Sequence, residues 1–262
     1  MFIPLHDTNA LKYIRLQYVT ITLIIVNCMI WFFTGLVASN SIENHAIAGF
    51  GFIPAVALHS AILDPSLVIV PSNWTFLTYA FLHNDFMHLA TNMVFLWVFG
   101  DNVEDALGHV RYLIFYVLCA AAAALVHALI APSSQGPLIG ASGAVSGVIV
   151  AYFMLHPRVR VWVLVLFRIP LPLPAFIPLA FWILQQFYML LTAHDSEVSW
   201  GAHVGGILSG AFLVLFLRRK GVPLFDKAIV SPKAVVHLEE QAGTSPPEEG
   251  SGSKTYRGPW GR

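Results

Sequence analysis

Six segments of this chain are long and apolar enough to approach the thickness of a bilayer core, with few charges interrupting them. They cover residues 18–37, 86–103, 112–130, 138–155, 175–192 and 201–217. A hydrocarbon core about 30 Å thick calls for roughly 20 apolar residues per helix. Inside lipid the backbone must satisfy its own hydrogen bonds, which leaves helices or closed barrels. Runs of this length point to helices. The composition agrees: 57% of residues are hydrophobic and 11% charged, with a mean hydropathy of +0.71. That excludes an ordinary soluble domain. A formal net charge of zero gives no basic footprint for nucleic acid. Residues 161–167 are apolar but too short to span, and are expected to lengthen the fifth helix or lie at the interface.

The basic residues alternate. Lys12 and Arg15 precede the first segment, and Arg111 separates the second from the third. Arg158, Arg160 and Arg168 separate the fourth from the fifth, and Arg218, Arg219 and Lys220 follow the sixth. Residues 38–85, 131–137 and 193–200 contain no Lys or Arg. The positive-inside rule then puts both termini in the cytoplasm and supports an even count of spans. The expected organisation is a cytoplasmic N-terminus (1–17), a six-helix domain (18–218) and a disordered cytoplasmic tail (219–262), because the tail is rich in Glu, Pro, Ser and Gly. The loop 38–85 carries Phe50, Phe52, Ile62, Val68, Ile69, Trp74 and Phe76. A loop this apolar is expected to dip into the outer leaflet. Cys28 and Cys119 lie inside apolar runs and read as packing residues rather than a disulfide or metal pair. The polar, short N-terminus without a transit-like pattern points to a bacterial inner membrane.

Polar groups inside such segments are costly and are functional-site candidates by default. Ser142 lies just inside the outer end of the fourth segment and His203 just inside that of the sixth. His88 and Asn92 lie just inside that of the second, four residues apart and so on one helix face. All four share one expected depth. Serine needs a base to become a nucleophile, and His203 can supply it. An oxyanion would need donors: the free amide at the start of the Ser142 helix, Asn92 and His88. No acidic residue lies inside the fourth or sixth segment, so a Ser-His dyad is expected rather than a triad.

Each group also has a plainer reading. Gly-Ala-Ser-Gly taken alone is a packing motif, as are Gly206 and Gly210. Asn27, His127, Gln185 and Gln186 read as interhelical hydrogen-bonders, and His83 as structural. The matched depth of the four favours chemistry. No His-Glu-x-x-His zinc motif and no pair of intramembrane aspartates offers a competing protease chemistry.

Taken in order, the motifs His88-x-x-x-Asn92, Gly140-x-Ser142-Gly143 and Ala202-His203-x-x-Gly206-x-x-x-Gly210 resemble those of the rhomboid intramembrane serine proteases. The segment from Gly100 to Gly108 resembles that family's link between the second and third spans. The resemblance covers about residues 18–218. It implies an all-α membrane protein with six transmembrane helices in a rhomboid-like bundle and a membrane-dipping first outer loop. It further implies Ser142 as nucleophile, His203 as general base, Asn92 and His88 at the oxyanion, and no metal or other cofactor. Substrates would be single-span membrane proteins met within the lipid, and the fifth helix would be the gate, its bulky Phe176, Trp182 and Phe187 closing on the second by packing. Two positions depart from the family pattern. Thr75 follows Trp74 where many relatives have Arg, and Ser146 stands where many have an aromatic that packs on the histidine.

Overall fold

The structure is a computed structural model, and it describes residues 2–165, 168–193 and 198–226. Helices occupy all six apolar segments. They are α1 (Tyr18–Trp31), which runs on as a π-helix through Phe32–Val37, and α5 (Phe86–Leu107), α6 (His109–Ile130), α7 (Ser142–Leu155), α8 (Phe176–Thr192) and α9 (Trp200–Leu217). Between α1 and α5 lie the short helices α2 (Asn40–Phe50), α3 (Pro54–Ala57) and α4 (Thr75–Thr78), with single 3-10 turns among them. By length and composition, Tyr18–Val37, α6 and α9 suffice to cross a membrane, while α7 and α8 are apolar but shorter.

The expectation of an all-α fold is corrected by a three-stranded antiparallel sheet. Strand β1 (Phe2–Asp7) pairs with β2 (Arg160–Val165), which pairs with β3 (Ile169–Pro174). Residues 160–165 therefore do not extend the fifth helix; residues 166–167 lie outside the described residues. Their β-branched run alternates buried Val161 and Val163 with more exposed neighbours, which suits a pleated strand. Pro170, Pro172 and Pro174 sit at every second position of the edge strand. A proline fits there only where its nitrogen points away from β2, and that leaves the free edge unable to recruit another strand.

The acidic end of α5 fixes the N-terminal segment. Helix α1 has no side-chain cap of its own. The buried Glu104 carboxylate instead accepts the N–H of Val19 (3.0 Å) and of Thr20 (2.8 Å), along with the Thr20 hydroxyl (2.7 Å). An anion at a helix N-terminus satisfies orphan donors and complements the dipole. Next to it, Asp105 accepts the N–H groups of Lys12 (2.9 Å), Tyr13 (2.7 Å) and Ile14 (2.7 Å). Asp7, ending β1, accepts from Tyr152 Oη of α7 at 2.6 Å and from Asn102 Nδ2 at 3.0 Å.

A second correction concerns the start of the tail. Arg219 N–H bonds to Ala106 O (2.9 Å) and Phe225 N–H to Met154 O (2.6 Å), with Val222 buried. Residues 219–226 thus form a strap from the end of α5 to the end of α7; the remainder of the tail, 227–262, lies outside the described residues. The 38–85 loop is pinned inward as well. Phe52 is fully buried and pairs with Leu138 through two backbone bonds, while buried Tyr79 donates its hydroxyl to Ala120 O at 2.8 Å.

At the centre, α7 and α9 touch backbone to backbone. A Cβ on Gly206 would collide with the Gly143 carbonyl, and one on Gly210 would lie 2.5 Å from Gly147 Cα. Gly147 in turn faces Cys119 of α6, where a Cβ would lie 2.5 Å from the sulfur. Small residues let these helices approach closely where lipid offers no hydrophobic drive between them.

Candidate active site

Ser142 is the first residue of α7. The turn before it is set by Gly140, whose φ of +113° favours glycine. The Gly140 N–H donates to Tyr79 O at 3.0 Å, and a Cβ there would lie 2.5 Å from His88 Nε2. His83 supports the same turn from beneath, its Nε2 lying 3.5 Å from the Ala141 amide. Burial, with His88 nearby, pushes the His83 ring down to about 3, so it stays neutral and structural. The first amides of α7 have no intrahelical acceptor and point out of the helix start.

His203 lies one turn into α9, whose N-terminus is capped by Ser199: its hydroxyl oxygen accepts the Ala202 N–H at 3.3 Å. The same hydroxyl lies 2.7 Å from His127 Nδ1 and ties α9 to α6. Gly206 rests on the Gly143 carbonyl, so α7 and α9 meet one residue beyond Ser142 and three beyond His203.

His88 and Asn92 come from the first turns of α5. Asp85 caps that helix, accepting the His88 N–H at 2.8 Å. Asn92 is buried and donates one amide hydrogen to His88 O at 3.0 Å; its second has no acceptor among the described residues. Ser142, His203, His88 and Asn92 all line one cavity of about 890 Å³, with His127, Trp182 and Trp200 among the other walls. Among the described residues no hydrogen bond joins Ser142 to His203. The contact in a resting enzyme is commonly loose and tightens when substrate binds.

With Ser146 in place of an aromatic, something else must hold the histidine. Ser146 only donates its hydroxyl to Ser142 O (2.6 Å). The His203 ring is held by Gln186, whose Oε1 lies 2.8 Å from Nδ1, by Trp182 stacked at 6.4 Å between centroids, and by Trp200 edge-on at 5.6 Å. Gln186 had read as an interhelical hydrogen-bonder, which it is, but its partner was not named. The missing signal was its spacing: it lies four residues after Trp182, so both project from one face of α8. Phe176, Trp182 and Phe187 were all expected to close on α5. Among the described residues the ring contact is Trp182 with Phe95, at 6.2 Å; Phe176 is exposed, and no ring contact there involves Phe187.

The Rhomboid domain family model matches residues 71–220, more than half of the chain and all of the cavity-lining residues named above. The chain belongs to the rhomboid family. Among its relatives, RHOMBOID-like protein 12, mitochondrial, of Arabidopsis thaliana is 30% identical over 161 residues, covering 55% of this chain and 46% of that protein. Rhomboid protein 1, mitochondrial, of Saccharomyces cerevisiae is 31% identical over 149 residues, covering 53% and 40%. The Homo sapiens presenilin-associated rhomboid-like protein, mitochondrial, is 28% identical over 184 residues, covering 66% and 44%. The chain thus spans about half the length of the curated relatives it matches. As a rhomboid it is a membrane protein with transmembrane helices, and the cavity just described lies within the matched domain.

Proposed function

We propose that this rhomboid is an intramembrane serine endopeptidase acting through Ser142 and His203. The observation that carries the reading is the shared cavity: nucleophile, base and two amide or imidazole groups reach it from α7, α9 and α5. In this mechanism His203 Nε2 takes the Ser142 hydroxyl proton as the oxygen attacks a substrate carbonyl. The resulting oxyanion is held by the first amides of α7 and the free Asn92 hydrogen. His203 then passes the proton to the leaving amine, and water hydrolyses the acyl-enzyme by the reverse sequence.

His88 donates to an oxyanion only when the Asn84 amide is turned so that its NH2 faces the ring. Its Nδ1 lies 2.7 Å from Asn84 Oδ1. A neutral ring that donates from Nδ1 has only a lone pair on Nε2.

The substrates we propose are single-span membrane proteins reaching Ser142 from lipid past α8, whose outer face exposes Phe181, Leu184, Tyr188 and Leu191. Six spans, a loop 38–85 that rests in the outer leaflet, and both termini on the side of the basic residues complete the proposal. A bacterial inner membrane is the compartment inferred from the sequence, whereas relatives named above are mitochondrial; fractionation of the native cells separates the two. In detergent, a fluorophosphonate should label the wild-type chain, and Ser142→Ala and His203→Ala should each abolish both labelling and cleavage of a transmembrane substrate. Undiminished cleavage by Ser142→Ala, or no labelling of an active wild type, would refute the dyad.

A further inference from the structure

We infer that Gln186 is a positioning residue that fixes both the tautomer and the orientation of His203, so that α8 sets up the base as well as covering the site. The inference rests on the dyad proposed above, but the observations behind it are independent of the dyad's activity.

Gln186 is 2% exposed, midway along α8. Its amide has two bonded neighbours that together determine its orientation. Nε2 lies 3.0 Å from Trp182 O, and Oε1 lies 2.8 Å from His203 Nδ1. A backbone carbonyl can only accept, so the NH2 group must face Trp182. The amide oxygen facing His203 can likewise only accept. His203 Nδ1 must therefore carry the ring hydrogen, and the lone pair of the neutral imidazole falls on Nε2. That is the form a base needs toward serine, and it is the function that a third group serves in soluble triads. Here a neutral amide replaces the carboxylate.

A contrast within the same cavity shows what the second bond contributes. His88 Nδ1 faces the side chain of Asn84, which among the described residues has no other side-chain hydrogen bond. That amide can turn over, and the His88 tautomer with it. At His203 the Trp182 carbonyl forbids the turn.

Orientation comes from the same helix. Trp182 stacks on the His203 ring with 29° between planes, and Trp200 meets it at 89°. Two of the three groups holding the ring thus project from α8. Among the described residues, the Gln186–His203 bond is the only side-chain hydrogen bond from α8 to another helix. A displacement of α8 that admits substrate removes both groups at once. The base is then correctly set only when α8 has returned, which orders docking before proton transfer.

The test uses the full chain, with a soluble fluorogenic peptide as substrate and ring-15N histidine labelling as a second readout. Gln186→Met keeps the volume and removes the acceptor. It should lower kcat by about ten- to hundred-fold with KM little changed, less than the roughly 10⁴-fold loss when a triad histidine is held in the wrong tautomer. Gln186→Glu keeps an acceptor and should restore kcat to within roughly threefold of wild type. In the 15N spectrum, the signal that disappears in His203→Ala should report a protonated Nδ1 in wild type and lose that state in Gln186→Met. Wild-type kcat in Gln186→Met, equal loss in the Met and Glu variants, or a wild-type His203 protonated at Nε2 would each overturn the inference. An inactive wild type with Nδ1 protonated would refute the protease reading while upholding the placement of Gln186.

Discussion

At the scale of single residues, the candidate site depends on which hydrogens are already committed. Asn92 uses one amide hydrogen on His88 O and keeps the other for the cavity. Asn92→Ala should therefore lower kcat without a matching rise in KM. Losing one oxyanion donor costs about 10²–10³ in rate where a soluble protease depends on it. The fall should be smaller here, because the α7 amides remain. Steady-state kinetics on a soluble peptide checks this, and an unchanged kcat would return Asn92 to a packing role. Gly140 matters for space as well as for its bond to Tyr79 O: any side chain there enters the His88 ring.

Among elements, the α7–α9 contact decides whether Ser142 and His203 can meet. It is built from glycines because a methyl group on Gly206 has no room against the Gly143 carbonyl. Gly206→Ala must push the helices apart. Overpacking of this kind typically costs about 1–3 kcal/mol, and here it also lengthens the serine–histidine approach. The expected outcome is a lower melting temperature in detergent together with loss of fluorophosphonate labelling. Labelling at the wild-type rate would show that the helix spacing does not set the dyad. The α8 contacts follow a different logic. Phe176, Trp182 and Phe187 were expected to close on α5 with few polar ties; among the described residues one ring pair reaches α5, Trp182 with Phe95, and one side-chain hydrogen bond ties α8 to α9. Such an element can move without breaking a large polar network.

On the scale of the whole molecule, the N-terminal strand, the acidic end of α5 and the foot of α7 form one polar layer around Asp7. Burial raises the Asp7 carboxyl to about 6, against the bonds from Tyr152 and the backbone that lower it. An unfolded aspartate releases its proton near 3.8. Between those values the folded state holds more protons. The contribution of Asp7 is therefore complete below about 3.8 and is lost as pH rises through about 6. Asp7→Asn keeps an acceptor for Tyr152 but cannot ionise. The fall in melting temperature from pH 5 to pH 7.5 should be smaller in Asp7→Asn than in wild type, as measured by thermal unfolding in detergent. Equal slopes would mean that Asp7 is not held in this layer.

The sequence alone determined where helices lie, because runs of apolar residues have few other ways to satisfy their backbone, and it selected Ser142, His203, His88 and Asn92, because polar groups in such runs need a reason. It also carried the glycine spacing on α9. It did not disclose the sheet. Phe2–Asp7 contains too few residues to show a period, and its partners in β2 lie between 154 positions (Asp7 with Val161) and 163 positions (Phe2 with Val165) away. Nor did it disclose the donors that cap α1, since Glu104 becomes a cap only after α5 and α1 have packed. Ser146 left the histidine without an obvious support, and the support proved to be Gln186 and Trp182 on another helix. Helix periodicity lies within a few residues and can be read along the chain. Which amide faces which imidazole depends on how separate helices are rotated against one another, and only tertiary packing sets that rotation.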